Sequence, residues 1–297
     1  MYLFKLVITM LCALLGVAFM TLIERKLLSY MQGRKGPNKV GIAGLFQPFS
    51  DAMKLMLKEV IIPFSSNKFL YVVFPILGLM VGLFMWGLLP SFNMFNSVSF
   101  SVLLFVCISA VNVYIVMGAG WASNSVYAFL GGVRASAQTI SYEISLVFVL
   151  LFPLFMIQSM MLIPFLFGYP VFHIFMFAML LWFVTCVAET NRAPFDFAEG
   201  ESELVSGFNI EYGSGPFALL FLGEYTIILF LSMFTSTCFL STNWMIIHVW
   251  AGFVVALSFL LVRGVYPRYR YDKLMSLCWK SILPLGISFL CIFFFFL

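Results

Sequence analysis

The feature that most limits how this chain folds is a series of eight continuous apolar runs. Each is close to the ~20 residues an α-helix needs to cross the hydrocarbon core of a bilayer. They fall roughly at 2–23, 69–90, 98–119, 140–163, 169–188, 216–240, 243–263 and 276–297. Alternating runs would suggest a membrane barrel. These do not alternate, and a helix satisfies its own backbone polar groups where water is absent. With 63% of residues hydrophobic and 9% charged, against about 25% charged in a soluble domain, the chain lacks the surface a soluble fold needs. The expected fold is an all-α integral membrane protein, one membrane domain over 1–297. It has about eight transmembrane helices, an interfacial amphipathic helix at about 45–60, and long inner-side loops. The first run ends in Glu24-Arg25-Lys26 without a small-residue cleavage site, so it reads as a retained helix with no transit segment before it.

Lys and Arg set the orientation. With the inner side defined as the one reached after the first run, 15 of the 16 basic residues lie there; Lys5 alone is outside. That bias supports eight spans with both termini outward. The outer connections, 91–97, 164–168 and 241–243, are short and poor in charge, so the inner face is where partners dock. The two halves show no internal repeat.

Three carboxylates, Glu143, Glu189 and Glu224, lie in or against apolar runs. Isolated charge in hydrocarbon costs at least a few kcal/mol, so such groups are functional by default. Between Glu189 and Gly213 an acidic loop (189–215) holds six acids, Glu189, Asp196, Glu199, Glu201, Glu203 and Glu211, against one base, Arg192. Carboxylates folded close together cannot all stay charged, which makes proton acceptors that respond to nearby charge. Proton movement through the membrane is the chemistry this pattern suggests.

The remaining inner segments frame that path. Apolar residues at 45, 46, 49, 52, 53, 56, 57 and 60 share one helical face, while Gln47, Ser50, Asp51, Lys54 and Lys58 share the other; Pro48 suits a first turn. This helix either covers the bundle or frames an opening for a lipid-soluble substrate. Before the fourth run, Arg134, Gln138, Thr139 and Glu143 form a polar stripe able to hold water, or a polar contact between helices. The Arg and Tyr residues of 263–273 read as membrane anchoring rather than nucleic-acid binding. Six scattered cysteines without CxxC spacing read as apolar fillers, and His173 and His248 are too far apart in sequence to suggest a metal site. The absence of GxGxxG and GxxxxGK[ST] patterns argues against NADH or ATP binding by this chain alone.

The segment Glu189-Thr190-Asn191-Arg192-Ala193-Pro194-Phe195-Asp196, followed by Glu199-Gly200-Glu201-Ser202-Glu203-Leu204-Val205-Ser206-Gly207, resembles the signature loop of a known family. That family is subunit 1 of NADH:ubiquinone oxidoreductase (respiratory complex I), the quinone-site membrane anchor, in its mitochondrial form. Glu24-Arg25-Lys26, Gly33-Arg34-Lys35-Gly36-Pro37-Asn38, Gly120-Trp121-Ala122-Ser123-Asn124-Ser125 and Tyr266-Pro267-Arg268-Tyr269-Arg270-Tyr271-Asp272 are similar to its other motifs, and the resemblance covers nearly the whole chain. It departs at the outer loops, at the Phe293–Phe296 tail and at Gly131-Gly132, which reads as a loosened turn.

The resemblance implies a subunit of an enzyme that is not catalytic alone. Its partners would be other membrane-arm subunits and the quinone-module subunits of the peripheral arm, with lipid around it and no nucleic acid. Ubiquinone would be the substrate, and FMN and iron–sulfur clusters would sit on partner subunits. Glu143, Glu189, Asp196, Glu199, Glu201, Glu203, Glu211 and Glu224 correspond to an acidic proton relay. Glu24, Arg25, Arg34, Arg192, Phe221, Arg268 and Arg270 correspond to quinone binding or access. The expected location is the mitochondrial inner membrane, multi-pass, with both termini on the intermembrane-space side. Three other readings fit the residues less fully: the anchor of a related hydrogenase-type redox complex, a stand-alone ion transporter, and a membrane scaffold with no chemical role.

Overall fold

The computed structural model describes residues 2–90, 98–168, 171, 176–196, 207–240 and 244–296. Among them there is no strand. In chain order the helices are α1 (Tyr2–Met31), α2 (Gln47–Leu57), α3 (Lys68–Trp86), α4 (Ser101–Ala122), α5 (Val126–Ile157), α6 (Ile163–Phe167), α7 (Met176–Glu189), α8 (Ser214–Cys238), α9 (Met245–Val265), α10 (Tyr271–Leu277) and α11 (Leu283–Phe296). A π-helical turn, Cys278–Ile282, joins the last two. Among the described residues seven stretches are long and apolar enough to cross a bilayer, and α7 is a shorter apolar helix of 14 described residues. The protein is an all-α integral membrane protein.

Helix α8 is the central element. It packs against α3, α9, α1 and α2. In its most apolar stretch 61% of residues are buried, against 22% for α1. Phe105 on α4, Trp182 on α7 and Phe230 and Phe234 on α8 are fully buried and stack together, with Phe105 and Phe234 centroids 4.5 Å apart and Trp182 and Phe234 5.8 Å apart. Lipid tails are as apolar as leucine, so this core is held by shape and dispersion rather than by exclusion from water. Exposed Phe84, Leu103, Phe177 and Trp250 face outward, where lipid or neighbouring chains cover them.

Glycines set the closest approaches. On α8, a Cβ at Gly223 would come 3.1 Å from the Gly78 carbonyl of α3. On α5, a Cβ at Gly131 would come 2.8 Å from Gly207 Cα, and Gly132 lies against Gly120 of α4. The Gly131-Gly132 pair therefore does not loosen a turn. It lies inside α5, which begins at Val126, well before the apolar run at 140, and its missing side chains admit neighbouring backbone. The polar entrance of that helix stays helical because its side chains find partners. Ser136, Thr139 and Ser141 bond back to carbonyls three or four residues earlier, and Gln138 reaches across to another segment.

On the inner side α2 lies against α1 and α8. Its Arg25–Asp51 bridge to α1, 2.5 Å, and the Phe19–Phe49 edge contact fix it there. Phe49, Met53, Met56 and Leu57 remain exposed, the outward apolar face that an interfacial helix turns to lipid.

Candidate functional site

Four helices bring ionisable or polar groups to one interior region. Helix α5 supplies Glu143, α7 ends at Glu189, and α8 carries Glu224 one residue past the Gly223 crossing. Helix α4 supplies Ser109 and Asn112. A cavity of about 40 Å³ is lined by Ser109, Asn112, Glu189, Thr190, Asn191 and Glu224 among others. At roughly 10–15 Å³ per water it has room for about three. Glu143 joins this group through Ser109, whose hydroxyl lies 3.1 Å from Glu143 Oε1 and 2.9 Å from the Val106 carbonyl. Glu143 and Glu189 are close enough for their charges to repel. Glu189 Oε2 and Asn191 Oδ1 are buried without a hydrogen bond among the described residues. Polar atoms in that position beside a polar cavity are ordinarily met by water.

The segment after α7 is tightly held. Gln138 donates from its amide nitrogen to the carbonyls of Ala188 and Phe195, both at 2.8 Å. Buried Asp196 pairs with Arg268 at 3.1 Å, and the Tyr269 amide donates to the Pro194 carbonyl at 3.0 Å. These contacts set the backbone on either side of Arg192.

Arg192 is 8% exposed. Its Nη2 lies 3.7 Å from Glu224 Oε2, and its guanidinium carbon sits 4.3 Å from the Tyr225 ring centroid. The Tyr225 hydroxyl donates to Glu24 Oε2 at 2.5 Å. Glu24, 5% exposed, is ion-paired through Oε1 to Arg263 of α9. A second cavity of about 10 Å³, room for about one water, is bordered by Glu24, Arg192, Tyr225 and Arg263. A chain of charge thus runs from α1 through α9 and α8 to the cavity at α5 and α7.

The structure separates the other sequence-derived candidates from this chain. Asp196 and Arg268 hold each other. Arg25 pairs with Asp51 at the α1–α2 contact, and Arg270 pairs with Asp272 at the surface, 3.2 Å. Arg34 is exposed. Phe221 is half-buried, its ring 4.4 Å from Phe217 and 6.4 Å from Tyr225. Glu211 is met at its backbone carbonyl by Tyr71 and does not line the cavity. Glu199, Glu201 and Glu203 lie outside the described residues. The sequence reading missed Ser109, Asn112, Tyr225 and Arg263 as parts of the site. Arg263 carried one signal: a cation closing an apolar run, one turn after Phe259 and Leu260, with which it borders the smaller cavity.

Seven long apolar helices and a shorter one among the described residues, with a chain of buried and half-buried charges crossing their interior, define a polytopic membrane protein built around ionisable groups. The chain belongs to the NADH dehydrogenase family, whose profile matches residues 4–294. It is 52% identical over 286 residues to NADH-ubiquinone oxidoreductase chain 1 of Aedes aegypti, covering 95% of this chain and 91% of that one. The protein of the same name from Heterololigo bleekeri is 52% identical over 293 residues (96% and 93% covered). That from Artemia franciscana is 49% identical over 285 residues (94% of each).

Proposed function

We propose that this chain is the quinone-site membrane subunit of a proton-translocating NADH:ubiquinone oxidoreductase, and that its half-buried interior carboxylates couple quinone reduction to proton movement. Membership of that enzyme complex rests on the family and on relatives of about half-identical sequence spanning nearly the whole chain. It is a multi-pass protein of the mitochondrial inner membrane. The basic bias of the inner loops supports termini on the intermembrane-space side.

The observation that carries the coupling reading is the convergence of Glu143, Glu189 and Glu224, from three helices, on one small polar cavity. Ubiquinone is the substrate. Access from the bilayer is assigned to the region where α1, α2 and α8 meet, near Glu24, Arg25 and Phe221. Partner subunits carrying FMN and iron–sulfur clusters deliver the electrons; this chain's residues manage charge. Reduction of a quinone to a quinol takes up two protons and changes the charge of its surroundings. A carboxylate within Coulomb range of that change takes up or releases a proton in response, and the next carboxylate follows. Waters in the cavity and the Ser109 hydroxyl supply the hydrogen-bonded steps between Glu224, Glu189 and Glu143.

Glu143→Gln keeps the shape of the side chain and removes its titration. In the assembled complex it is expected to slow quinone reduction coupled to pumping by about a hundredfold or more, the scale of losing one positioned proton-transfer group. Assembly and NADH oxidation by a hydrophilic artificial acceptor are expected to stay near wild type. Proton pumping at the wild-type rate in this variant would remove Glu143 from the path.

A further inference from the structure

The inner end of α1 carries positive charge that the site above does not use. Between Arg25 and Lys39 there are five cations, Arg25, Lys26, Arg34, Lys35 and Lys39, and no acid. Arg25 is neutralised by Asp51. The other four have no carboxylate partner among the described residues. Lys26 gives one of its three donors to the Ala43 carbonyl at 2.5 Å, a neutral partner that leaves its charge uncompensated. Gly36 packs against the same turn of α1: a Cβ there would come 3.0 Å from Lys26 Cα and 2.9 Å from Ser29 Oγ. The loop that carries Arg34, Lys35 and Lys39, all exposed, is thereby folded back onto the end of the helix.

An open groove of about 590 Å³ lies beside these cations, between α1 and α9. It is lined by Ile23, Lys26, Leu27, Tyr30 and Met31 of α1 and by Leu261 of α9. The groove is sorted by depth. The apolar run of α1 closes at Ile23. Lys26 and Tyr30 follow about 5 and 10 Å further along the axis, at about 1.5 Å per residue. Over that distance hydrocarbon gives way to the polar headgroup layer. Lys26 and Tyr30 are four apart and share one helical face. Tyr30 is exposed, and its hydroxyl has no hydrogen-bond partner among the described residues. An ammonium and a phenol side by side are donors suited to phosphate oxygens. Along the groove the order is apolar wall, then cation and donor, which is the order of groups in a phospholipid.

We propose that this groove holds one anionic phospholipid of the inner leaflet. An acyl chain lies along Ile23, Leu27 and Leu261, and the phosphate meets Lys26 and the Tyr30 hydroxyl in the field of the basic loop. The apolar wall accepts the chain of any lipid; the uncompensated cations select the anion, as basic pockets between membrane helices do. A quinone head is neutral and gains nothing from them. The inference does not depend on the coupling reading above.

The test uses the assembled complex in phosphatidylcholine nanodiscs containing a trace of phosphatidylglycerol with a photoactivatable acyl chain. The same derivative of phosphatidylcholine is the control, and labelled peptides are mapped by mass spectrometry. Phosphatidylglycerol is expected to label the segments around 23–31 and 261 about tenfold more than phosphatidylcholine, the effect of more than one cation near the membrane surface. Lys26→Gln is expected to lower that preference about fivefold, the share of one cation. Leu261→Trp, which fills the groove, is expected to remove labelling by both lipids. Native gels and NADH oxidation with a hydrophilic acceptor confirm that each variant assembles. Should a variant fail to assemble, the comparison of the two lipids on the wild-type complex carries the test. Equal labelling by the two lipids would mean bulk lipid only and overturns the proposal. An unchanged preference in Lys26→Gln, or unchanged labelling in Leu261→Trp, also overturns it. So does no labelling by either lipid, which would put a partner chain over the groove, and so does displacement of the label by a short-chain ubiquinone, which would make the groove a quinone site.

Discussion

Replacing Gln138 with leucine is the most direct way to ask whether the segment after α7 must be held rigid for the site to work. Gln138 is fully buried on α5 and donates to two carbonyls, Ala188 and Phe195, that bracket Glu189 and Arg192. Leucine fills a similar volume and donates nothing. The Ala188 carbonyl keeps a second donor, the Asn191 amide at 3.3 Å, so the loss there is an ordinary hydrogen bond of about 1 kcal/mol. The Phe195 carbonyl loses the Gln138 donor in a buried setting, a cost of about 1–3 kcal/mol. Against this, Gln138 Oε1 is itself buried without a partner, and its removal returns roughly 1 kcal/mol. The balance is about 2 kcal/mol against the closed segment, roughly a thirtyfold rise in its open population. Hydrogen exchange at the Thr190, Asn191 and Arg192 amides, which bond to Cys186, Ala188 and Val187, reads that population in the assembled complex. Exchange is expected to speed up by about that factor, with coupled quinone reduction falling alongside. Exchange within threefold of wild type would refute the clamp. Faster exchange with full coupled turnover would refute the need for rigidity.

Two further outcomes follow from packing and charge. Gly131→Ala puts a methyl 2.8 Å from the Gly207 backbone, which cannot rotate away, so a loss of about 1–3 kcal/mol is expected as a lower melting temperature or reduced assembly. Gly213→Ala, with nothing within 4 Å of the added methyl, is the control, and equal behaviour of the two would contradict the close approach. Arg268→Ala leaves Asp196 buried without that partner. The cost of breaking a buried pair is discounted because the Arg268 side chain is 33% exposed, giving about 2–4 kcal/mol, and Arg268→Ala, Asp196→Asn together are expected to recover most of it. A double variant no more stable than Arg268→Ala would show that the pair is not what holds this segment.

Much of the architecture was legible because bilayer thickness turns hydrophobic length into structure: a run of the right length has few alternatives to a spanning helix. The polar start of α5 was not. Gly131, Gly132, Arg134, Gln138 and Ser141 look like a break in a spanning helix. They are helical because the glycines admit neighbouring backbone, Ser141 bonds within its own turn and Gln138 bonds to a segment about 50 residues away, and periodicity carries no record of such partners. The carboxylates Glu143, Glu189 and Glu224 stood out because charge in an apolar run is conspicuous. Arg263 and Tyr225 did not. An arginine closing an apolar run ordinarily marks topology and a tyrosine ordinarily anchors at an interface, and only the crossing of α1, α8 and α9 makes them neighbours of Glu24.

The same crossing explains how so many charges persist inside a membrane protein. A lone buried ion is costly, and a pair recovers its desolvation only when well matched. Here Glu24 has both oxygens satisfied, whereas Glu189 has one oxygen buried with no hydrogen bond among the described residues. The network is therefore graded. It is saturated toward α1, near the assigned quinone access, and under-satisfied toward the cavity at α5 and α7. A saturated pair resists gaining or losing a proton, because either change strands a partner. An under-satisfied carboxylate beside water is poised to do so when the charge around it changes. In the proposed coupling, that gradient, rather than any single glutamate, would let a change on one side of the bundle be answered by proton transfer on the other.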